Sequence, residues 1–260
     1  MNSDSDNKTV ALFVTCLADL FRPSVAFASI KLLEDAGCRV EVPELQTCCG
    51  QPAFNTGAYD ETRPAAKRVI EIFSDYSWVV APSGSCAGML KHHYPRIFED
   101  NPEWLGRAQE LAERSWEITG FLTDVLQHSP ASEPQQNLDK SYTYHDSCAG
   151  LREMGIQAQP RQLLKSMKGI DIAELNQTEV CCGFGGTFCA KMPEISEKMV
   201  DDKLSNALAT DAEVLLGGDL GCLMNIAGRA SRRGQELEVR HVVEVLANMD
   251  TEAAIGESQT

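Results

Sequence analysis

Short apolar runs alternate with longer stretches of helical period along this chain, and the order repeats. Residues 10–14 are continuously apolar, as a buried strand is, and lead to Cys16. From about Pro23, Phe27, Ile30 and Leu33 recur at near-helical spacing, and the pattern stops before Gly37. Residues 39–42 form a second strand candidate. Residues 63–76 form a stronger helix, with Val69, Ile72, Phe73 and Tyr76 on one face. Residues 78–81 (WVVA) are a buried strand whose following loop carries Cys86, and a helix is expected over 88–98. The second pass runs as strand 142–144, helix 160–167, strand 170–175, helix 193–208, strand 214–216, and a strand end with a helix over 239–249. In the helix 193–208, Val200, Leu204, Ala207 and Leu208 share a face. Between the passes lie a helix, 102–128, and a polar linker, 129–137. The last eleven residues are polar and read as loose.

Strands alternating with helices imply an α/β fold with parallel sheets. The repeat makes it two similar half-domains related by a pseudo-twofold. The first, 1–133, ends in the helical connector, and the second, 134–260, ends in a flexible tail. In such sheets binding loops lie beyond the carboxyl ends of the strands.

The charge sharpens this picture. The chain has 260 residues, 38 acidic against 23 basic, for a net charge of −15. That excess disfavours nucleic-acid binding, and a solvated surface accounts for it. No run approaches the ~20 apolar residues of a membrane span. The polar start MNSDSDNK lacks the pattern of a secretory signal, so a cytoplasmic location is expected. In that compartment thiols stay reduced, and ten cysteines read as metal-binding or catalytic.

Eight of those ten fall into two matched frames. Cys16 precedes Cys48-Cys49-Gly50 by 31 intervening residues, and Cys86 follows the glycine after 35; Cys148, Cys181-Cys182-Gly183 and Cys222 repeat this with 32 and 38. The repeat collects four thiols at one edge of each sheet. Four thiolates suit iron–sulfur clusters or zinc, but the C-x2-4-C knuckle usual for structural zinc is absent. Adjacent cysteines point different ways from one tight turn, and the glycine permits positive φ and close approach. The strings Ser85-Cys86-Ala87-Gly88 and Ser147-Cys148-Ala149-Gly150 are identical, yet spacing makes Cys86 the end of one frame and Cys148 the start of the next.

These frames resemble those of the cysteine-rich CCG-domain proteins, which include a heterodisulfide reductase subunit and iron–sulfur subunits of glycolate and glycerol-3-phosphate oxidation systems. The strings QTCCGQPAFNTG, APSGSCAGMLKHHYP, YHDSC, CCGFGGTF and GCLMNIAGR resemble the lactate-utilisation branch, and the resemblance spans about residues 8–248. It implies an iron–sulfur electron-transfer subunit of an L-lactate-oxidising complex. Cys16, Cys48, Cys49 and Cys86 would hold one centre, and Cys148, Cys181, Cys182 and Cys222 the other. The implied cofactors are 4Fe–4S clusters, cubane or noncubane, with zinc possible in one half. The implied partners are two further proteins of the system, one with ferredoxin-type motifs, so that the 2-hydroxy acid is met indirectly. The chain has no ferredoxin-like run of cysteines and no G-x-G-x-x-G after its first strand, consistent with passing electrons between others. Heterodisulfide reductase relatives end each frame in C-x-x-C; here Met89 and Asn225 stand at the last position. The other readings are a catalytic thiol–disulfide or glycolate oxidoreductase subunit and a non-redox zinc adaptor.

Outside the frames, Cys38 reads as a structural thiol, and Cys189, seven residues past Cys182, is weakly placed to approach the second centre. His145, three residues before Cys148, is the candidate catalytic residue, as a proton donor or hydrogen-bond partner of a cluster sulfur; fixing the loop is its plainer role. Asp146 reads as a turn or cap residue. His92 and His93 default to the surface. Arg229, Arg232 and Arg233 read as a solvated helix end, or as a patch for an acidic partner or a carboxylate.

Overall fold

The computed structural model describes residues 8–128 and 140–257. Eight strands form two four-stranded sheets. The first orders β1 (Lys8–Leu12), β2 (Cys38–Glu41), β3 (Trp78–Ala81) and β4 (Ser115–Glu117) as β2-β1-β3-β4. The second orders β5 (Tyr142–His145), β6 (Ile172–Glu174), β7 (Val214–Gly217) and β8 (Glu238–His241) as β6-β5-β7-β8. Among the described residues every pairing is parallel, with Val10 opposite Val40 and Trp78, and Tyr142 opposite Ile172 and Val214. The α/β repeat read from the apolar pattern is thus the fold. The middle strands are covered on both faces by helices, which is why β3 and β7 are unbroken apolar runs.

Most elements fall near their expected positions. The helices Pro23–Asp35 and Pro193–Leu208 each open on a proline whose missing N–H a first turn does not use. The connector departs from expectation. Residues 102–128 are not one helix but a helix Pro102–Glu113, the strand β4, and a helical segment Ile118–Gly120 continued by a π-helical turn Phe121–Val125. The helix expected over 88–98 also starts earlier, at Gly84, and passes through a π-helical turn, Met89–His93. The boundary and linker expected near 129–137 lie outside the described residues. The final segment is tied down rather than loose up to Glu257. Ala254 and Ile255 are buried, Ile255 N donates to Val239 O at 2.9 Å, and Arg22 Nη1 donates to Ala253 O at 2.5 Å.

β4 depends on Glu117. Its Oε2 accepts from Thr119 N (2.8 Å), Thr119 Oγ1 (2.6 Å) and Gly120 N (3.0 Å), capping the segment after the strand. Burial pushes this carboxyl up to about 7, against its ordinary 4.5. The folded state therefore keeps a proton that the unfolded chain releases between those values. The contribution of Glu117 to stability is full below about 4.5 and is lost as pH rises through about 7. We expect Glu117→Gln, whose amide oxygen can still cap, to remove this term. Its denaturation midpoint should gain on wild type between about pH 5 and about pH 8; parallel pH profiles would contradict it.

One apolar core runs through both halves. Val10, Leu12, Val25 and Leu32 of the first pack in the same cluster as Tyr144, Leu216, Val239 and Val245 of the second. Polar pairs bridge the same interface. Glu244 Oε1, fully buried, accepts from Arg22 Nε at 2.7 Å and Ser24 Oγ at 2.6 Å, while its Oε2 accepts from His241 N at 3.1 Å. His241 Nδ1 accepts from Val243 N, which leaves Nε2 to donate to Pro82 O at 3.1 Å. The two identical SCAG strings meet here too. The helices Gly84–Gly88 and Cys148–Arg152 lie so close that a methyl at Gly84 would stand 2.5 Å from Gly150 Cα, and one at Gly88 2.3 Å from Glu153 Oε2. The strings are not repeat equivalents; they are two small-residue faces that pack on each other.

Candidate metal centres

Each single cysteine stands in the first turn of a helix that follows a strand, not in the intervening loop. Cys16 opens the helix Cys16–Phe21 and Cys148 the helix Cys148–Arg152; Cys86 lies in Gly84–Gly88 and Cys222 in Leu220–Arg232. Capping hydroxyls fix these turns: Thr15 Oγ1 accepts from Ala18 N (3.3 Å), Ser83 Oγ from Cys86 N (3.2 Å) and Ser147 Oγ from Gly150 N (3.2 Å). Helix starts also favour negative charge beside them.

The paired cysteines come from turns closed by glycines at φ +83° (Gly50) and +84° (Gly183), a left-handed conformation that strains any other residue. A methyl at Gly183 would meet Ser196 O at 2.7 Å. Each glycine N–H points back at the first sulfur of its pair, Gly50 N to Cys48 Sγ and Gly183 N to Cys181 Sγ, both at 3.4 Å. The two thiols of a pair then meet different partners. Cys16 Sγ donates to Cys48 Sγ at 3.7 Å, and Cys49 Sγ donates to Cys86 Sγ at 3.4 Å. In the second half Cys148 hydrogen-bonds to Cys181, and Cys182 to Cys222. The structure thus brings together all eight frame cysteines as two sets of four, and none of the ten forms a disulfide.

The charge in each set is concentrated on one sulfur. Cys48 is held well below the usual thiol range because the Cys16 thiol donates to it, with the Cys49 thiol beside it and the Gly50 N–H pointing at it, and Cys16 is pushed up in consequence. Cys181 is lowered in the same way by Cys148 and Cys182. A thiolate among converging thiols, half-buried at helix starts, is a donor set that fits a metal or an iron–sulfur cluster.

The surroundings of the two sets differ. The first lines a cavity of about 260 Å³, closed on the far side by Phe184, Thr187 and Asp219 of the second half. Asp219 crosses to the first half, where its Oδ2 accepts from Ser85 N at 2.9 Å and Ser83 Oγ at 3.3 Å; burial raises its carboxyl above the usual range. Loop carbonyls are tethered alike by unlike groups: Tyr94 OH donates to Cys49 O, and Asn225 Nδ2 donates to Cys182 O, each at 2.9 Å. The second set has polar neighbours. Lys203, fully buried, donates from Nζ to Gln177 O (3.0 Å) and Thr178 O (3.1 Å), next to Cys181 and Cys182. The corresponding helix of the first half, Tyr59–Ile72, buries Thr62, Ala66, Val69 and Ile70 and no charged residue.

His145 is 1% exposed, and neither ring nitrogen has a hydrogen-bond partner, so it is not the satisfied, loop-fixing histidine that was its plainer reading. Burial, followed by the charge of Lys203, pushes its imidazole down to about 3 and keeps it neutral. One ring nitrogen lies with Cys182 Sγ and Cys222 Sγ in a group whose atoms are all within 4.8 Å of one another. Asp146 is not a cap: it is buried, and its two oxygens take Arg161 Nη1 (2.8 Å) and Nη2 (2.9 Å), the cap being Ser147. Cys38 is buried in the core, and Cys189 Sγ lies 3.5 Å from Gly186 O. His92 is exposed, whereas His93 bridges the halves through Glu153 Oε2 at 3.1 Å. Arg229 and Arg233 are engaged by the chain's own Glu197 and Asp201, leaving Arg232 exposed.

Sequence reasoning missed Asp219 and Lys203. A lysine three residues after Val200, on the apolar face of its helix, was the signal for one. No local pattern marks the other.

A profile of the cysteine-rich domain CCG matches residues 10–91 and again 142–227. The lactate utilization protein A of Shouchella clausii is 49% identical over 237 residues, and that of Bacillus thuringiensis 46%. Each alignment covers 91% of this chain and 98% of the relative. A solved structure of a hypothetical protein from Helicobacter pylori matches with a TM-score of 0.66 over 96% of this chain and 49% of that one, at 12% identity, a likeness of fold alone. No helix among the described residues is long and apolar enough to cross a membrane. With the profile matched once in each half, around the same four cysteines, the chain belongs to the family of proteins built on the cysteine-rich CCG domain, as a tandem of two copies.

Proposed function

We propose that each set of four cysteines holds an iron–sulfur cluster, and that the chain is an electron-carrying subunit of a lactate-oxidising oxidoreductase. The observation that carries this reading is that each cysteine pair engages two partners. Cys48 meets Cys16 while Cys49 meets Cys86, so one tight loop places two adjacent sulfurs between two others brought by separate helices. A multi-iron cluster takes sulfurs from several directions, and when bound it supplies one-electron storage. The chain's own residues supply the ligands and neutralise part of the charge of the second set through the Gly183 N–H and Lys203. The choice of lactate rests on the relatives named for lactate utilization, which match nearly end to end. Two further proteins of that system, one with ferredoxin-type motifs, would deliver and remove electrons.

Anaerobic purification tests this directly. Iron and acid-labile sulfide in two clusters' worth, with broad absorbance near ~400 nm, is the expected result. The absorbance should bleach with L-lactate only when the partner proteins are present. A colourless protein carrying zinc in both halves overturns the reading.

A further inference from the structure

The two halves treat one position in opposite ways. Three residues before the opening cysteine, the first half has Phe13 and the second has His145. Phe13 is fully buried against Phe73, ring centroids 5.6 Å apart, in a cluster with Cys49 and Cys86, so an apolar ring satisfies this place. His145 occupies the same place with two nitrogens that find no partner. Buried polar atoms are nearly always paired, and an imidazole with neither nitrogen bonded gains nothing over a phenyl ring in the same space. Its ring reaches the sulfurs of Cys182 and Cys222. Asn225, which stands where relatives of the heterodisulfide type carry a further cysteine, spends its amide on Cys182 O.

We propose that His145 is a nitrogen ligand of the second centre, giving that half a donor set of four sulfurs and one imidazole that the first half lacks. The proposal rests on the reading that the cysteines hold iron–sulfur clusters. A neutral imidazole is the form that binds metal, and iron accepts it readily. As a fifth donor a neutral imidazole brings no charge, so the ligand set is one negative charge smaller than it would be with a fifth thiolate where Asn225 stands, and axial or added ligands of this kind tune the potential of a centre. The two centres are then chemically distinct although the frames that hold them are the same.

Protein grown with 15N-histidine and purified anaerobically, with the centres poised in a paramagnetic state, answers the question by pulsed EPR. The chain has five histidines, so a coupled nitrogen must also be assigned. We expect a directly coupled histidine nitrogen in wild type that is lost in His145→Phe, with a shifted midpoint for one of two centres and the other unchanged. Full iron and sulfide without such coupling, or coupling that persists in His145→Phe, overturns the ligand assignment and leaves the cluster reading standing. Zinc instead of iron at these residues overturns both. The wild-type labelling needs no variant, so a failure of His145→Phe to fold does not blunt the test.

Discussion

Cys182→Ser should strip the second centre and leave the first. Cys182 is 1% exposed, bonded to Cys181 and Cys222, and next to His145. A serine hydroxyl does not ionise near neutrality and is a poor ligand for iron, so the set drops to three sulfurs. We expect about half of the iron and sulfide to be lost, since metal binding and folding of the site are coupled. The replacement also leaves a small polar group in a dry place, at about 1–3 kcal/mol. Far-UV circular dichroism should nevertheless report an intact fold, because Cys182 is a small side chain at one place in a large apolar cluster and serine is close to it in size. Electron flow from lactate through the assembled system should cease. Unchanged iron in this variant would remove Cys182 from the ligand set.

Glu244→Ala should destabilise the whole molecule rather than either centre. Its carboxylate is fully buried and takes Arg22, Ser24 and the His241 N–H together. Removing it leaves the Arg22 guanidinium, 7% exposed, without its partner. Breaking a buried ion pair from one side costs about 3–5 kcal/mol, because the remaining charge stays desolvated. The bond joins residues 222 apart, so the loss falls on the contact between the halves. Denaturant unfolding of the anaerobic protein measures it. Glu244→Gln, which retains an acceptor but not the charge, should lose less, and equal losses would mean that the charge alone sets the cost there.

How much of this could be read from the chain depends on where the information lies. β3, residues Trp78–Ala81, and the helix Pro193–Leu208 were legible to the residue, because full burial on both faces and a proline start are local properties. β4 was not legible. It has only three residues, and its Glu117 is buried because the turn after it supplies three hydrogen bonds to the carboxylate. The eight frame cysteines were legible because duplication states the pattern twice. The turn glycines were legible because each follows a cysteine pair that has to approach backbone closely. The cross-half pairs were not, since Asp219 and Ser85 are 134 residues apart and neither matches a motif. The sequence puts His145 three residues before Cys148, but only packing shows that both of its nitrogens are without partners.

Lys203 gives the duplicated fold a direction. Two identical sites exchange an electron with no preference, and a carrier built from them would be equally content to run either way. Here one site has a buried ammonium beside Cys181 and Cys182, while the matching helix of the other half buries only neutral groups. Each electron added to a centre adds negative charge, and a desolvated positive charge nearby lowers the energy of that state. On the proposed reading, the second half is the downhill end of the molecule. A single lysine on the buried face of a helix then biases the relay toward the second half.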